Sequence, residues 1–422
     1  MTTQLLGNRF LTFNSVIRVN QIEIRRDRNA GEDEGDIHKP EHVEALRDAF
    51  ERGWPGGRMT WGLSWLALHD DRPNYRQMRD LVASYHHRYG DDVTFFAGGF
   101  FPNAASTRAE VNRDLHEALA AVSQIVGHGY RPPTVLAGFL AADNLRYLAE
   151  QEGVHTCQGN IWSQFGIDNQ DGDGSLCYPY YPSREHFCKP AQGPQDFIDC
   201  VNLDGWTCDF LAARRAGFTE GFNSRMGCGP IETLGKFDTE TALRQLLATT
   251  AEHFDAGFAL NNFAWVVTCY EVILVSQLGK LDALTRWFTE IRRRWPGAQC
   301  PTLAEFGLCW RQQFPTNDPL DYRFTHRGTG IGGSDADKEI RWFMNRDFRL
   351  ALLRSAVGEH VIDYTRYDLP ASEPQEFTRR WSLLGQVNQK QTRTQDKPFP
   401  FSQLPAADRD RIRRRYPELA GA

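Results

Sequence analysis

The chain contains no CxxC pair, no apolar run long enough to cross a bilayer, no internal repeat and no low-complexity tract, and each absence removes a class of function. Nine cysteines, at 157, 177, 188, 200, 208, 228, 269, 300 and 309, form an odd set without the spacing of a zinc ribbon or a redox dithiol, so reduced thiols are expected. Charge of one sign is also scarce. A net charge of −6 and a pI near 6.1 give no electrostatic case for nucleic acid, and the basic stretch Arg409 to Arg415 is offset by Asp408, Asp410 and Glu418. The opening MTTQLLGNRFLTFNSVIRVNQIEIRR lacks the apolar core and cleavage site of a secretory signal, so a cytoplasmic address without a membrane partner is expected.

What the chain does have is length and apolar content. Its 422 residues, 41% of them hydrophobic, can bury a full core and accommodate one large barrel plus a smaller module. A short strand is expected near Val16 to Ile24, then a charged turn at Asp27 to Asp36 and a helix behind Pro40 running to Arg52. Met59 to Leu68 reads as the first barrel strand, ending in His69-Asp70-Asp71. Val93 to Gly98, Thr134 to Phe139 and Val154 to Gly159 follow, with helices over Tyr75 to Tyr89, Arg108 to Val126 and Asp143 to Glu152. Phe197 to Asn202, Phe222 to Met226 and Leu260 to Thr268 come next, alternating with helices over Thr207 to Ala216 and Thr239 to Phe254. This strand-then-helix rhythm predicts an α/β fold, a (β/α)7-type barrel whose functional groups sit at the carboxyl ends of the strands.

Helical patterns at Leu281 to Arg294 and Leu303 to Gln313 stop at Pro296-Gly297 and before Pro315. From Tyr322 the pattern changes to short strands at Arg323 to His326, Glu339 to Met344, Phe348 to Arg354 and His360 to Tyr364. Residues 1–315 are therefore expected to form the barrel with an N-terminal extension, and 316–422 a small C-terminal β-rich module and tail with one late helix. Gly328 to Gly333, in RGTGIGGSD, lack the Lys-Ser/Thr of a phosphate loop and read as a turn.

The segment from His155 to Trp206 is too irregular for a helix and too long for an ordinary connection, which marks it as a binding loop. Its aromatics can cover the C–H face of a sugar while its acids, amides and guanidinium satisfy hydroxyls. Trp162, Tyr178, Tyr180, Tyr181 and Trp206 would form that platform; the alternative is that they pin the loop to the barrel rim. Asn169 to Gly174 partly matches a calcium loop, but Tyr180 stands where a bidentate Glu is required, so a turn is the simpler reading. Cys157, Cys177, Cys188 and Cys200 leave a thiolate nucleophile or metal ligand open beside the commoner buried thiol. Trp61 and Trp65 share one side of a β period, which fits core packing.

WGLSWLALHDD, YGDDVTFFAGG, YRPPTVLAGFLAADNLRYLAEQEGV and NLDGW, in that order, resemble the seven-stranded barrel superfamily of polysaccharide deacetylases and several glycoside hydrolase families. GNIWSQ, DGDGS, YPYYPSREHFCKPAQG, DFIDCVNLDGW and GFNSRMG resemble, more closely, a bacterial domain-of-unknown-function family, from about Ile37 to the end. The resemblance implies the barrel and the C-terminal module and supplies no activity of its own.

A metal-dependent deacetylase needs an Asp and two histidines at H-x3-H spacing, leaving one position on the metal for water. Asp70 or Asp71 matches the first ligand, but His86-His87, His116 and His128 do not supply the pair, which leaves glycoside hydrolysis as the better member of the repertoire. That reaction needs two carboxyl groups across one bond. Asp70, Asp71, Asp204, Glu232 and Glu271 follow strands, and Asp171, Asp173 and Glu185 come from the loop; Asp204 with Glu271 is the preferred pair, because both follow apolar strands. For each acid the alternative is a helix cap or an arginine partner.

The catalytic candidates are thus Asp204, Glu271, Asp70 and Glu185. The substrate-binding candidates are His69, Trp162, Tyr180, Arg184, His186, Trp206, Arg225, Asn262 and Trp265. The expected function is a glycoside hydrolase with a saccharide or glycoside substrate and no cofactor. The alternatives are a metal-dependent carbohydrate deacetylase or isomerase, with a divalent ion near His69, Asp70 and His186, and a non-catalytic carbohydrate-binding protein.

Overall fold

The computed structural model describes residues 4–26, 28–97, 102–137, 140–158, 174–205, 209–215, 229–375, 377–378, 381, 383–388 and 398–420. The first strand, β1 (Arg9–Ile17), is buried along almost its whole length. Its even-numbered residues face one side and Phe13 the other, where its ring lies 5.1 Å from Phe50 and 5.1 Å from Phe288 on the covering helices Pro40–Gly53 and Leu281–Arg294. A strand covered on both faces is enriched in apolar residues, as Phe10, Leu11, Phe13, Val16 and Ile17 are here, while Thr12, Asn14 and Ser15 are buried polar positions among them. A hairpin, β2 (Asn20–Arg25) and β3 (Arg28–Asp33), follows. β4 (Met59–Leu63) and β5 (Asp92–Phe95) come next, then the short strands β6 (Val135–Leu136), β7 (Thr156–Gln158) and β8 (Val201–Asn202), and β9 (Ala264–Cys269).

These build two parallel sheets, in the orders β5-β4-β1-β9 and β6-β7-β8, joined by one parallel bridge from Phe96 to Leu136. The α/β class is therefore as the sequence implies. Among the described residues the strands form these two sheets rather than one continuous ring of ladder bonds. Beyond β8 the loop itself supplies a neighbour. Tyr180 bridges antiparallel to Asn202, exchanging both backbone bonds, and the Tyr178 hydroxyl accepts the Trp265 N–H of β9 at 2.5 Å. Helix Leu303–Gln313, started by a capping box of Thr302 and Glu305, packs on inward-facing residues of both sheets. The Leu303 N–H donates to the Thr60 hydroxyl at 3.0 Å, and Phe306 stacks on Trp265 at 4.5 Å. Gly307 passes so near Thr156 that a Cβ would come within 2.6 Å of its methyl.

The C-terminal part is a five-stranded antiparallel sheet of β10 (Asp321–Arg327), β11 (Glu339–Asn345), β12 (Phe348–Ser355), β13 (Gly358–Arg366) and β14 (Phe399–Pro400). Helix Ala406–Arg415 covers one face, with Ile412 and Tyr416 in a core shared with Phe343, Leu350 and Tyr364. The glycine-rich 328–333 segment is a turn, with Gly330, Gly332 and Gly333 all at positive φ. Among the described residues no helix is long and apolar enough to cross a membrane.

Three strand expectations shift. The strand expected near Val16 to Ile24 falls on the end of β1 and the start of β2, and β1, which lies between β4 and β9, begins seven residues earlier. The strand expected over Met59 to Leu68 stops at Leu63, because the Ser64 hydroxyl accepts the Ala67 N–H at 3.2 Å and starts helix Trp65–His69. The strand expected from Leu260 starts at Ala264, since Phe258–Asn261 is helical and Asn262 ends that helix in the left-handed region at φ 58°. Phe222 to Met226 lies outside the described residues.

Candidate functional site

The carboxyl ends of the parallel strands gather polar groups that the sheets themselves do not require. Asn14, on the inward side of β1, donates from Nδ2 to Oε1 of Gln158 on β7 at 3.0 Å, tying the two sheets together. Its Oδ1 is buried and has no hydrogen-bond partner among the described residues. A buried amide oxygen left unmatched costs free energy, typically about 1–3 kcal/mol, which marks the position as one a ligand or water can complete. Beside Asn14, in register on β9, stands Cys269, and the chain continues through Tyr270 to Glu271.

Asp204 leaves β8 toward the same interior and is fully buried. Its Oδ2 accepts from the Ser175 hydroxyl and from the Cys177 N–H, the latter at 3.0 Å. The next residue, Gly205, lies against β9, where a Cβ would come within 1.9 Å of Val267. Only glycine lets the backbone pass there, and this close approach sets the residue after Asp204 against β9, two residues beyond whose end Glu271 lies. Glu271 is half-buried and paired with Arg18, whose Nη2 lies at 2.9 Å. Arg18, at the end of β1, also holds Glu34 at 2.9 Å.

The other acids are engaged elsewhere. Asp70 lies one helix beyond the end of β4 and binds the Arg72 guanidinium at 2.6 Å and its N–H at 2.8 Å. Burial opposes that charge, but these bonds hold the carboxyl below its usual range. Glu185 pairs with Lys189 at 2.6 Å and accepts the Ala371 N–H at 3.0 Å; burial works against it and these two donors lower it. Asp70 and Glu185 are thus each paired with a cation and a backbone N–H.

Among the substrate-binding candidates, His69 is exposed and stacks on Trp65 at 4.4 Å, with Arg26 over the same indole at 3.6 Å. Tyr180 is not an exposed platform. It is fully buried, donating to the Phe187 carbonyl at 2.8 Å and accepting from Asn202 at 2.8 Å. Tyr178 and Tyr181 are buried as well, against Trp265 and Trp310. These tyrosines fill the space between β8 and β9, where the loop replaces a ladder. Trp265 is core too, its Nε1 donating to Thr12 at 3.0 Å. His186 is fully buried, accepts the Cys188 N–H at 3.1 Å, and is pushed down to about 3 by burial, so it stays neutral. Arg184 is exposed and bonds the Phe197 carbonyl at 3.2 Å. Asn262 lies at the amino end of β9, away from the mouth. Trp162, Trp206 and Arg225 lie outside the described residues.

His69, Asp70 and His186 have separate partners and do not meet, and among the described residues no three His, Cys, Asp or Glu side chains form a metal-binding group. The alternative divalent-ion site therefore does not fit these three. The described cysteines are free thiols, and burial pushes Cys157, Cys177 and Cys200 up, away from thiolate character.

Four contributors escaped the sequence reading. Asn14 and Gln158 are polar positions at the inward ends of apolar strands, a signal present in RFLTFNSVI. Glu23, fully enclosed, accepts from the Val19 N–H and the Ser64 hydroxyl, each at 2.7 Å, tying the hairpin to the end of β4. Glu373, from the C-terminal segment, accepts the N–H groups of Ala142 at 2.8 Å and Phe187 at 2.9 Å and pairs with Arg108 at 3.2 Å. No sequence signal marked Glu373, which lies in a polar, proline-containing stretch.

Comparison with known proteins adds the following. A family described as a domain of unknown function with a solved structure (DUF3863) matches residues 3–344, and a second so described (DUF3864) matches residues 349–419. A crystal structure from Parabacteroides distasonis, named as a "putative glycoside hydrolase/deacetylase", is 48% identical over 99% of both chains with a TM-score of 0.92. A probable polysaccharide deacetylase from Pseudomonas aeruginosa is 13% identical, over 74% of this chain and 93% of that one, with a TM-score of 0.45. Puue allantoinase is 13% identical, over 74% and 92%, with a TM-score of 0.46. No curated protein matches the chain.

Proposed function

The chain belongs to the DUF3863 family, with a DUF3864 segment following it, and from that premise we propose that it is a carbohydrate-active hydrolase, a glycosidase in which Asp204 and Glu271 are the paired carboxyl groups. In this reading the two parallel sheets and the Tyr178–Tyr181 segment close into one seven-stranded barrel, and a saccharide enters at the carboxyl ends of its strands. Asp204 gives a proton to the leaving oxygen as the glycosidic C–O bond breaks. Glu271, paired with Arg18, either attacks the anomeric carbon or takes a proton from the water that does. Asn14 and Gln158 offer amide groups to the sugar hydroxyls.

One observation carries the reading: a fully buried carboxylate at a strand's carboxyl end, held by a hydroxyl and an N–H and pressed against the strand that leads to a second carboxylate. The name of the 48% identical relative supports the substrate class. The test is a panel of aryl glycosides, oligosaccharides and acetylated sugars, assayed with Asp204→Asn and Glu271→Gln. Each variant is expected to lose about 10²-fold or more in kcat on a glycoside that the wild type cleaves. Equal rates in all three proteins would remove the pair. Turnover of acetyl groups alone would move the reaction to deacetylation, and binding without turnover would leave a lectin-like protein.

A further inference from the structure

We propose that the C-terminal module completes the mouth of the parallel sheets, and that Arg349 is a positioning residue that holds the turn from which Asp204 receives its hydrogen bonds. The inference rests on Asp204 being the proton donor of the reaction proposed above.

Arg349 is on β12 and is fully buried, an expensive place for a guanidinium. Its charge is matched within the module by Asp363, at 2.6 Å, which the Thr365 hydroxyl orients at 2.9 Å. The other side of the fork leaves the module. Nη1 donates to the Ser175 carbonyl at 2.5 Å and lies 3.6 Å from the Cys177 sulfur. Ser175 and Cys177 are the two residues whose hydroxyl and N–H hold Oδ2 of Asp204. Asp363, Arg349, the 174–177 turn and Asp204 thus form one chain of contacts from the C-terminal sheet to the mouth.

The turn needs an external hold. Gly174 is at φ 105° and Cys177, which has a side chain, is at φ 59°, a conformation that surroundings must enforce. Tyr367 supplies a second point by donating to the Gly174 carbonyl at 2.8 Å. Further along the same loop, Lys189 donates to the Leu369 carbonyl at 2.9 Å and Gln192 to the Arg346 carbonyl at 2.8 Å. A rigid planar fork fixes direction as well as distance, which a lysine cannot reproduce. Were the turn to shift, the Ser175 hydroxyl and Cys177 N–H would no longer be aimed at the carboxylate.

The experiment uses the full chain as Arg349→Lys, Arg349→Met and Tyr367→Phe, with Asp204→Asn as reference. Backbone hydrogen–deuterium exchange is read at Cys177, and kcat, KM and the pH–rate profile on the substrate found by the panel. Arg349→Lys and Arg349→Met are expected to speed exchange at Cys177 by about tenfold or more while β1 and β9 keep wild-type protection. They are expected to lower kcat by about 10²-fold, with KM within about twofold and the pH profile displaced. Tyr367→Phe, which removes one hydroxyl and is the variant to rely on if the arginine variants do not fold, should move exchange and kcat the same way by less. Wild-type exchange at Cys177 in folded variants would overturn the proposal, as would an unchanged kcat and pH profile beside an inactive Asp204→Asn. An Asp204→Asn protein with full activity would instead defeat the catalytic reading and this role with it, while exchange at Cys177 would still say whether Arg349 holds the turn.

Discussion

Asp91 and Asn14 lie at opposite ends of the same parallel sheet, and the fold treats them differently. Asp91 precedes β5 at the amino end, where its carboxylate accepts from Arg47 at 2.9 Å, Trp61 at 3.0 Å and the Met59 N–H at 3.0 Å. Both Arg47 and Asp91 are fully buried, and neither oxygen of the acid is left over. Among the described residues, the Asn14 side chain has one bond and one orphaned oxygen at the carboxyl end. Asp91 is a closed structural joint, although its neighbour Asp92 keeps a buried Oδ2 with no partner among the described residues; at the carboxyl end Asn14 keeps such an oxygen.

Breaking the Asp91 joint should cost most. Asp91→Ala strands a buried guanidinium and is expected to lower unfolding free energy by about 3–5 kcal/mol in urea titration. A loss below 1 kcal/mol would mean that the joint contributes nothing special. Glu373 tests the seal over the open end. Burial pushes its carboxyl up to about 7 from an ordinary 4.5, against the pull of the Ala142 and Phe187 N–H groups and Arg108. Because the folded value is the higher one, this group's favourable contribution is complete below about pH 4.5 and is lost as pH rises through about 7. The span corresponds to roughly 3 kcal/mol. Glu373→Gln should therefore flatten the stability profile between those pH values, and a parallel pair of profiles would refute the assignment. Smallest of the three, Asn14→Ala removes one buried hydrogen bond and should cost about 1–2 kcal/mol, well under Asp91→Ala. Equal losses at the two ends would erase the contrast.

Local signals in the sequence were reliable. Helices Arg108–Val126, Leu281–Arg294 and Leu303–Gln313 run as expected because their caps, breakers and apolar spacing lie within a few residues of one another. The first C-terminal strand alternates cleanly, as DYRFTHR shows with its buried even positions. Readings failed where two local signals competed. WGLSWLALHDD contains an apolar run that suits one long strand, but Ser64 is also a good helix cap, and the cap wins after Leu63. His69 and Asp70 were thereby carried away from the strand end that made them candidates.

The aromatic loop misled for a different reason. Tyr178, Tyr180 and Tyr181 have the composition of a sugar platform, and nothing local tells a platform from a wedge. Their burial depends on the edge that β8 leaves beside β9, a vacancy created by strands distant in sequence.

The sequence by itself determined the alternation of strands and helices, the change to an antiparallel module and the placing of acids after strands, because each follows from interactions among near neighbours. Only the tertiary structure decided which polar groups are satisfied. Ser175 meets Arg349 across 174 residues of chain, and a buried group's cost or value is set by the partner that folding brings to it.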